Sequence, residues 1–155
     1  MKKRKQKTFV FEGLGFPIKL VNAPMIKDCD EWYLDIDMNK LMLVVVEALA
    51  YKPMALSADE LRFIRTYLQM TTTEFGKAFG VSHVAVLKWE NGNNKVSPPL
   101  EFYIRLFILD HLHVGDSEFR NFYKDTSLQE MSQKNSKKIH PLVVDATTED
   151  LKIAL

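Results

Sequence analysis

Cysteine is almost missing from this chain: Cys29 stands alone among 155 residues. An internal disulfide is therefore excluded, and a reducing cytosol suits the composition. The single thiol reads as a half-buried bystander rather than a reactive group. Long apolar runs are missing too. None reaches the ~18–20 residues needed to span a bilayer, and the longest, Leu41 to Tyr51, is interrupted by Glu47. The basic run Lys2-Lys3-Arg4-Lys5 has no apolar segment beside it, so it does not read as a secretory signal. A cytoplasmic location without membrane contact is the expectation. The sequence also has no Gly-rich phosphate loop, no Cys-x-x-Cys pair and no convincing Ser-His-Asp set. His111 and His113, separated by one residue, fall on different faces of a helix, which argues against a shared metal. No enzyme activity, cofactor or metal is expected.

Net charge is also scarce. Lys and Arg number 21 against 20 Asp and Glu, leaving +1. What the chain does have is a strongly punctuated stretch, Thr71 to Gly92. Thr71 followed three residues later by Glu74 forms a capping box and starts a helix. Gly80 ends that helix, because the tight turn needs a residue that tolerates positive φ. Ser82 caps a second helix, and Asn91-Gly92 closes it after Glu90. Phe75, Ala78 and Phe79 share one face of the first helix, and Val86 and Trp89 one face of the second. Gly76 sits inside a helix, where it costs about 1 kcal/mol relative to Ala; close approach of the second helix explains it. His83, Val84, Leu87 and Lys88 remain on the outer face near the second helix's N-terminus. Two short helices locked by a glycine turn are the unit that presents a helix end to the DNA major groove.

With Thr71 leading the first helix, Gly80-Val81-Ser82 at the turn and Trp89-Glu90-Asn91-Gly92 at the end, the chain resembles the XRE/Cro-type helix-turn-helix family over about 57–112. The resemblance implies a five-helix, lambda-repressor-like DNA-binding domain. It implies DNA contacts from Thr71, Thr72, Ser82, His83, Val84, Leu87, Lys88, Asn91, Asn94 and Lys95. The family often has Gln where Thr72 stands and Ser where Leu87 stands, so the base code here is its own. Leu87 either touches a thymine methyl or packs. His83 contacts a base or phosphate, or is idle. Lys88 reaches a guanine edge or a phosphate. Arg65 and Glu90 occupy positions that pair in this family, and an ion pair is expected between them, worth little if exposed.

Outside that stretch, residues 8–27 mix β-branched and aromatic residues with Gly13, Gly15, Pro17 and Pro24, and read as a small hairpin. Asp28, Asp30, Glu31, Asp35 and Asp37 read as a solvated acidic stretch before a helix at about 39–51, which Pro53 stops. Ser57 with Glu60 opens a helix over 57–69 that buries Leu61, Ile64 and Leu68. Ser97-Pro98 opens another, about 98–112, rich in aromatics, and a shorter helix is expected at about 116–125. Residues 126–138 read as a linker or frayed helix, and 139–155 as an apolar tail that docks on its own domain or on a partner. The expected fold class is mainly α: the five-helix domain at 56–125, a β-hairpin plus helix module at 1–55 before it, and a linker and tail at 126–155.

The layout of a small N-terminal module followed by this type of domain resembles MqsA- and HigA-type antitoxins, although their zinc-binding cysteines are missing. That resemblance implies an autoregulating repressor that binds a palindromic operator as a homodimer and a toxin through residues outside 57–112. The weak net charge predicts that a monomer binds DNA weakly, so a dimer reading two half-sites about 34–36 Å apart would supply the missing affinity. Taken by itself, the weak charge leans toward an adaptor. Two other readings stay open. One is a stand-alone transcription regulator; the other is a protein-interaction adaptor that has lost DNA binding.

Overall fold

The structure, a computed structural model, describes residues 1–113, 117, 121, 141–147 and 151–153. The helix expected at about 116–125 and the linker at 126–138 lie outside these residues, apart from Ser117 and Asn121. Two compact units result, with the division inside one helix at Val45/Val46.

The first unit corrects the expectation of a mainly α chain with a small hairpin. It is a five-stranded mixed sheet, so the protein is an α/β fold. Strand β1 (Lys2–Phe11) pairs antiparallel with β2 (Ile18–Asp28). Here the basic run does not dangle ahead of the hairpin; it is the first half of an edge strand. Lys2, Lys3, Arg4 and Lys5 are exposed there, and charge on an edge strand discourages unwanted pairing. Arg4 also lies 4.1 Å over the Trp32 ring, a cation–π contact that ties its stem down. The acidic stretch is structured as well. Strand β3 (Glu31–Leu34) folds back on β2 through Cys29 and Asp30, whose φ values of 45° and 67° suit a primed two-residue turn. Cys29 is exposed at this turn, not half-buried.

The expected apolar tail completes the sheet. Strand β4 (Leu142–Asp145) lies parallel to β2, with Ile18 opposite Leu142 and Val21 opposite Asp145, and β5 (Lys152–Ile153) pairs with β4. One long strand thus serves two partners on the same edge: β4 along Ile18–Val21 and β3 along Met25–Asp28. The changeover is marked by Asn22, whose φ is 55° and whose amide donates to the Thr147 hydroxyl at 3.0 Å. Past Asn22 the buried positions change phase, from Ile18 and Leu20 to Ala23 and Met25. Pro24 is tolerated in a central strand because its missing N–H faces the gap between β4 and β3, while its carbonyl accepts from Asp35 N at 2.8 Å. Ile18, Leu20 and Val144 are fully buried, as are Leu41 and Val45 of the adjoining helix.

That helix, α1 (Met38–Tyr51), starts where Asp37 Oδ1 accepts from Asn39 N at 2.9 Å and Lys40 N at 3.2 Å. Its second half belongs to the other unit, with α2 (Ala58–Tyr67), α3 (Thr72–Phe79), α4 (His83–Glu90) and α5 (Pro98–His111). Leu61 and Ile64 of α2 are buried as expected, Leu68 is only half-buried, and Phe63 joins the core. Phe79 ties α3 to α5: its ring stands 5.3 Å from both Tyr103 and Phe107 in edge-on geometry.

No local sequence signal announces how the end of α1 is held. Arg105 of α5 is fully buried and donates to the carbonyls of Leu49 (3.1 Å), Ala50 (3.3 Å), Lys52 and Met54 (2.7 Å), and to Glu101 Oε1 (2.7 Å). Glu101 in turn accepts from Leu56 N at 3.0 Å, and Lys52 reaches both Glu60 oxygens at 2.8 Å. The α1 C-terminus has no basic residue of its own in its last turn, so a guanidinium from another helix satisfies its orphan carbonyls. Among the described residues no helix is long and apolar enough to cross a membrane.

Candidate nucleic-acid interface

Each end of α3 and α4 is fixed by the residues that announced it. Thr71 Oγ1 accepts from Glu74 N at 3.1 Å, and Glu74 Oε2 accepts from Thr71 N at 2.7 Å, closing the capping box. The Thr71 N–H first, and the Thr71 side chain second, hold the Glu74 carboxyl below its ordinary range. The carboxylate half of the box is therefore in place at neutral pH and weakens as pH falls through that lowered value, while the bond from Glu74 N to Thr71 Oγ1 does not titrate. At the other end of α3, Gly80 has φ 69°; Val81 N donates to Gly76 O at 2.8 Å and Gly80 N to Lys77 O at 3.4 Å. That is a Schellman closure. Ser82 Oγ then accepts from Ala85 N at 3.2 Å to open α4. Asn93 N donating to Lys88 O at 2.9 Å, with Gly92 N donating to Trp89 O at 3.2 Å, closes α4 in the same way. The turn between the two helices is three residues long, Gly80 to Ser82.

Gly76 is required by this turn rather than by the body of the second helix. An added Cβ would stand 2.6 Å from the Val81 carbonyl oxygen and 3.2 Å from Ser82 C. Overpacking costs about 1–3 kcal/mol, against about 1 kcal/mol of helix propensity gained by alanine. Because the obstacle is backbone, the clash wins, and Gly76→Ala is expected to lower the melting temperature by several degrees. A circular-dichroism melt checks this; a raised melting temperature would mean the turn yields.

Burial then separates the two faces of α4. Val86, Trp89 and Glu90 point inward. His83, Val84, Leu87 and Lys88 are exposed, with Val84 46% and Leu87 42% accessible. Ser82, Asn91, Asn94 and Lys95 are exposed beside them, as is Thr71; Thr72 is half-buried. The ten candidate residues thus fall at the start of α3, along one face of α4 and in the loop that follows it. Lys77 of α3 is exposed too. From Phe75 to Leu100 the one carboxylate is Glu90, and it is turned inward.

The expected ion pair between Arg65 and Glu90 is present, and it is not an exposed one. Arg65 Nε donates to Glu90 Oε1 at 2.6 Å and its second nitrogen to Oε2 at 3.1 Å, with the Glu90 side chain 5% exposed. The bond to Glu90 raises the Arg65 guanidinium above its already high range. Arg65 also donates to Met70 O at 2.9 Å, so one side chain joins α2, the end of α4 and the entry to α3. Arg62, which the sequence reading passed over, donates to Glu90 O at 3.0 Å and approaches Asn91 Oδ1 at 3.5 Å. Its signal was its position one helical turn before Arg65. Among the described residues no group of three or more His, Cys, Asp or Glu could hold a metal ion.

Comparison with protein-family models, with curated proteins and with solved structures gives no match.

Proposed function

We propose that this chain is a sequence-specific DNA-binding transcriptional repressor of the XRE/Cro type, with α4 as its recognition helix. One observation carries the reading: a three-residue turn locks two eight-residue helices, and the outer face of the second bears exposed His83, Val84, Leu87 and Lys88 with no free carboxylate. Lys77, Lys88 and Lys95 on and around that face supply local phosphate attraction despite a net charge of +1. The operator is palindromic and is bound by a homodimer in the cytoplasm. Within this reading the chain is the antitoxin-like autoregulator of a toxin–antitoxin pair, and residues outside 57–112 engage the toxin. A short neighbouring gene whose product is held inactive on co-expression is the expected companion.

Two substitutions separate the kinds of contact. Lys95→Ala is expected to weaken binding equally on all duplexes and to reduce the slope of log K against log salt by about one. Lys88→Ala is expected to cost about 1–3 kcal/mol and to relax preference at one base position. Fluorescence anisotropy over a salt series reads both. An unchanged slope removes Lys95 from the interface, and a uniform loss makes Lys88 a phosphate contact.

A further inference from the structure

Two branched aliphatic side chains lie on the proposed DNA-facing surface, and a large part of each is left open to water. Val84 is 46% and Leu87 42% exposed, whereas Val86, one residue before Leu87, is 1% exposed. Val84 and Leu87 are three apart, so they are neighbours on the helix surface. Lys88 lies one turn beyond Val84 and His83 immediately before it, and both are exposed.

An aliphatic group cannot hydrogen-bond a phosphate or a base edge. The one apolar feature that a base pair offers in the major groove is the C5-methyl of thymine. Exposed cations lie within a few turns of the pair along the chain, at Lys77, Lys88 and Lys95. No free carboxylate lies near it in sequence, since Glu74 is committed to Thr71 and Glu90 to Arg65. The surroundings therefore suit a polyanion, while the centre suits methyl groups.

We infer that Val84 and Leu87 are specificity-determining residues that read thymine by its methyl group, so the operator carries thymine in each half-site opposite this pair. This assignment rests on the proposed DNA-binding reading. Both side chains give up water-exposed apolar surface when a methyl covers them, and the energy of one buried methyl corresponds to about fourfold in affinity.

The test uses the full-length protein and duplexes recovered by selection from random DNA. Each thymine in the recovered site is replaced in turn by deoxyuridine, which removes the methyl and keeps every base-pairing group. Binding is expected to weaken about fourfold at the contacted thymines and to stay unchanged elsewhere. Leu87→Ala and Val84→Ala, both at exposed positions that leave the fold intact, are expected to bind more weakly and to lose the uracil penalty at their own position. Duplexes with no fixed thymine in the half-sites would overturn the inference. So would tight, selective binding indifferent to uracil, which would leave the two residues as a surface for a protein partner. Failure to recover any selected duplex is a distinct result: it overturns the DNA-binding reading itself, and this one with it.

Discussion

Arg105→Ala is expected to remove about 3–5 kcal/mol of folding stability, the cost of breaking a fully buried charge pair from one side. Total stability of a domain this size is typically about 5–15 kcal/mol, so the variant would sit near the edge of folding. The guanidinium is 0% exposed and donates to four backbone carbonyls around the end of α1 and to Glu101. Alanine would leave those acceptors without a donor and Glu101, at 4% exposure, without its countercharge. Pro53 stands just after α1 and supplies no N–H, so the segment has few ways to compensate. The buried Nε of Arg105 has no partner among the described residues, which already lowers the net worth of the cluster. Arg105→Lys is expected to fail nearly as badly, because a point charge cannot reproduce the forked donors that span Leu49 to Met54. Urea unfolding measures both variants. A loss under about 1 kcal/mol would show that water replaces the guanidinium.

The second large effect is expected at Glu90. Glu90→Ala removes two charge-assisted bonds to Arg65, at about 3 kcal/mol. The lower end of the buried-pair range applies because the Arg65 side chain is 18% exposed and keeps its bond to Met70 O. The consequence goes beyond melting. Glu90 is the last residue of α4, and through Arg65 it fixes that helix against α2 and the start of α3. Even at temperatures where the variant stays folded, the exposed face of α4 loses its fixed aim. DNA affinity is therefore expected to fall more than that of a surface variant of equal stability loss. Glu90→Gln, which keeps one acceptor in place, is expected to lie between. Denaturant titration paired with anisotropy separates the two effects; full affinity in folded Glu90→Ala would show that the pair stabilises without positioning.

The helical unit was legible because its signals are local. Thr71 with Glu74, Ser57 with Glu60, Ser82 before α4 and the glycines at 80 and 92 each fix a helix end within three or four residues. The starts of α2, α3 and α4 and the ends of α3 and α4 followed from those residues, whereas α2, with no such signal at its C-terminus, ends at Tyr67 and not at the expected 69. The exposure of His83, Val84, Leu87 and Lys88 followed from the 3.6-residue period anchored by Val86 and Trp89. The sheet was illegible for the opposite reason. Its pairings are between distant residues, Ile18 with Leu142 for example, and no local pattern announces them. Lys2 to Lys5 carry charge on both faces of β1, so the alternation that marks a half-buried strand is absent. In β2 the alternation is present but slips at Asn22. The mainly α expectation failed on these two strands and on β4. Arg105 was hidden in another way: in an amphipathic helix, an Arg among Ile104 and Leu106 reads as the solvated face, and only the position of the α1 carbonyls turns it inward.

Selection of random duplex DNA by the purified full-length protein at moderate salt, with Lys88→Ala run in parallel, addresses the central claim most directly. A palindrome enriched by the native chain, and lost or blurred at one position by the variant, is the expected outcome. Equal recovery of all sequences by both proteins would contradict a recognition role for α4. The helical unit would then be a scaffold for another protein.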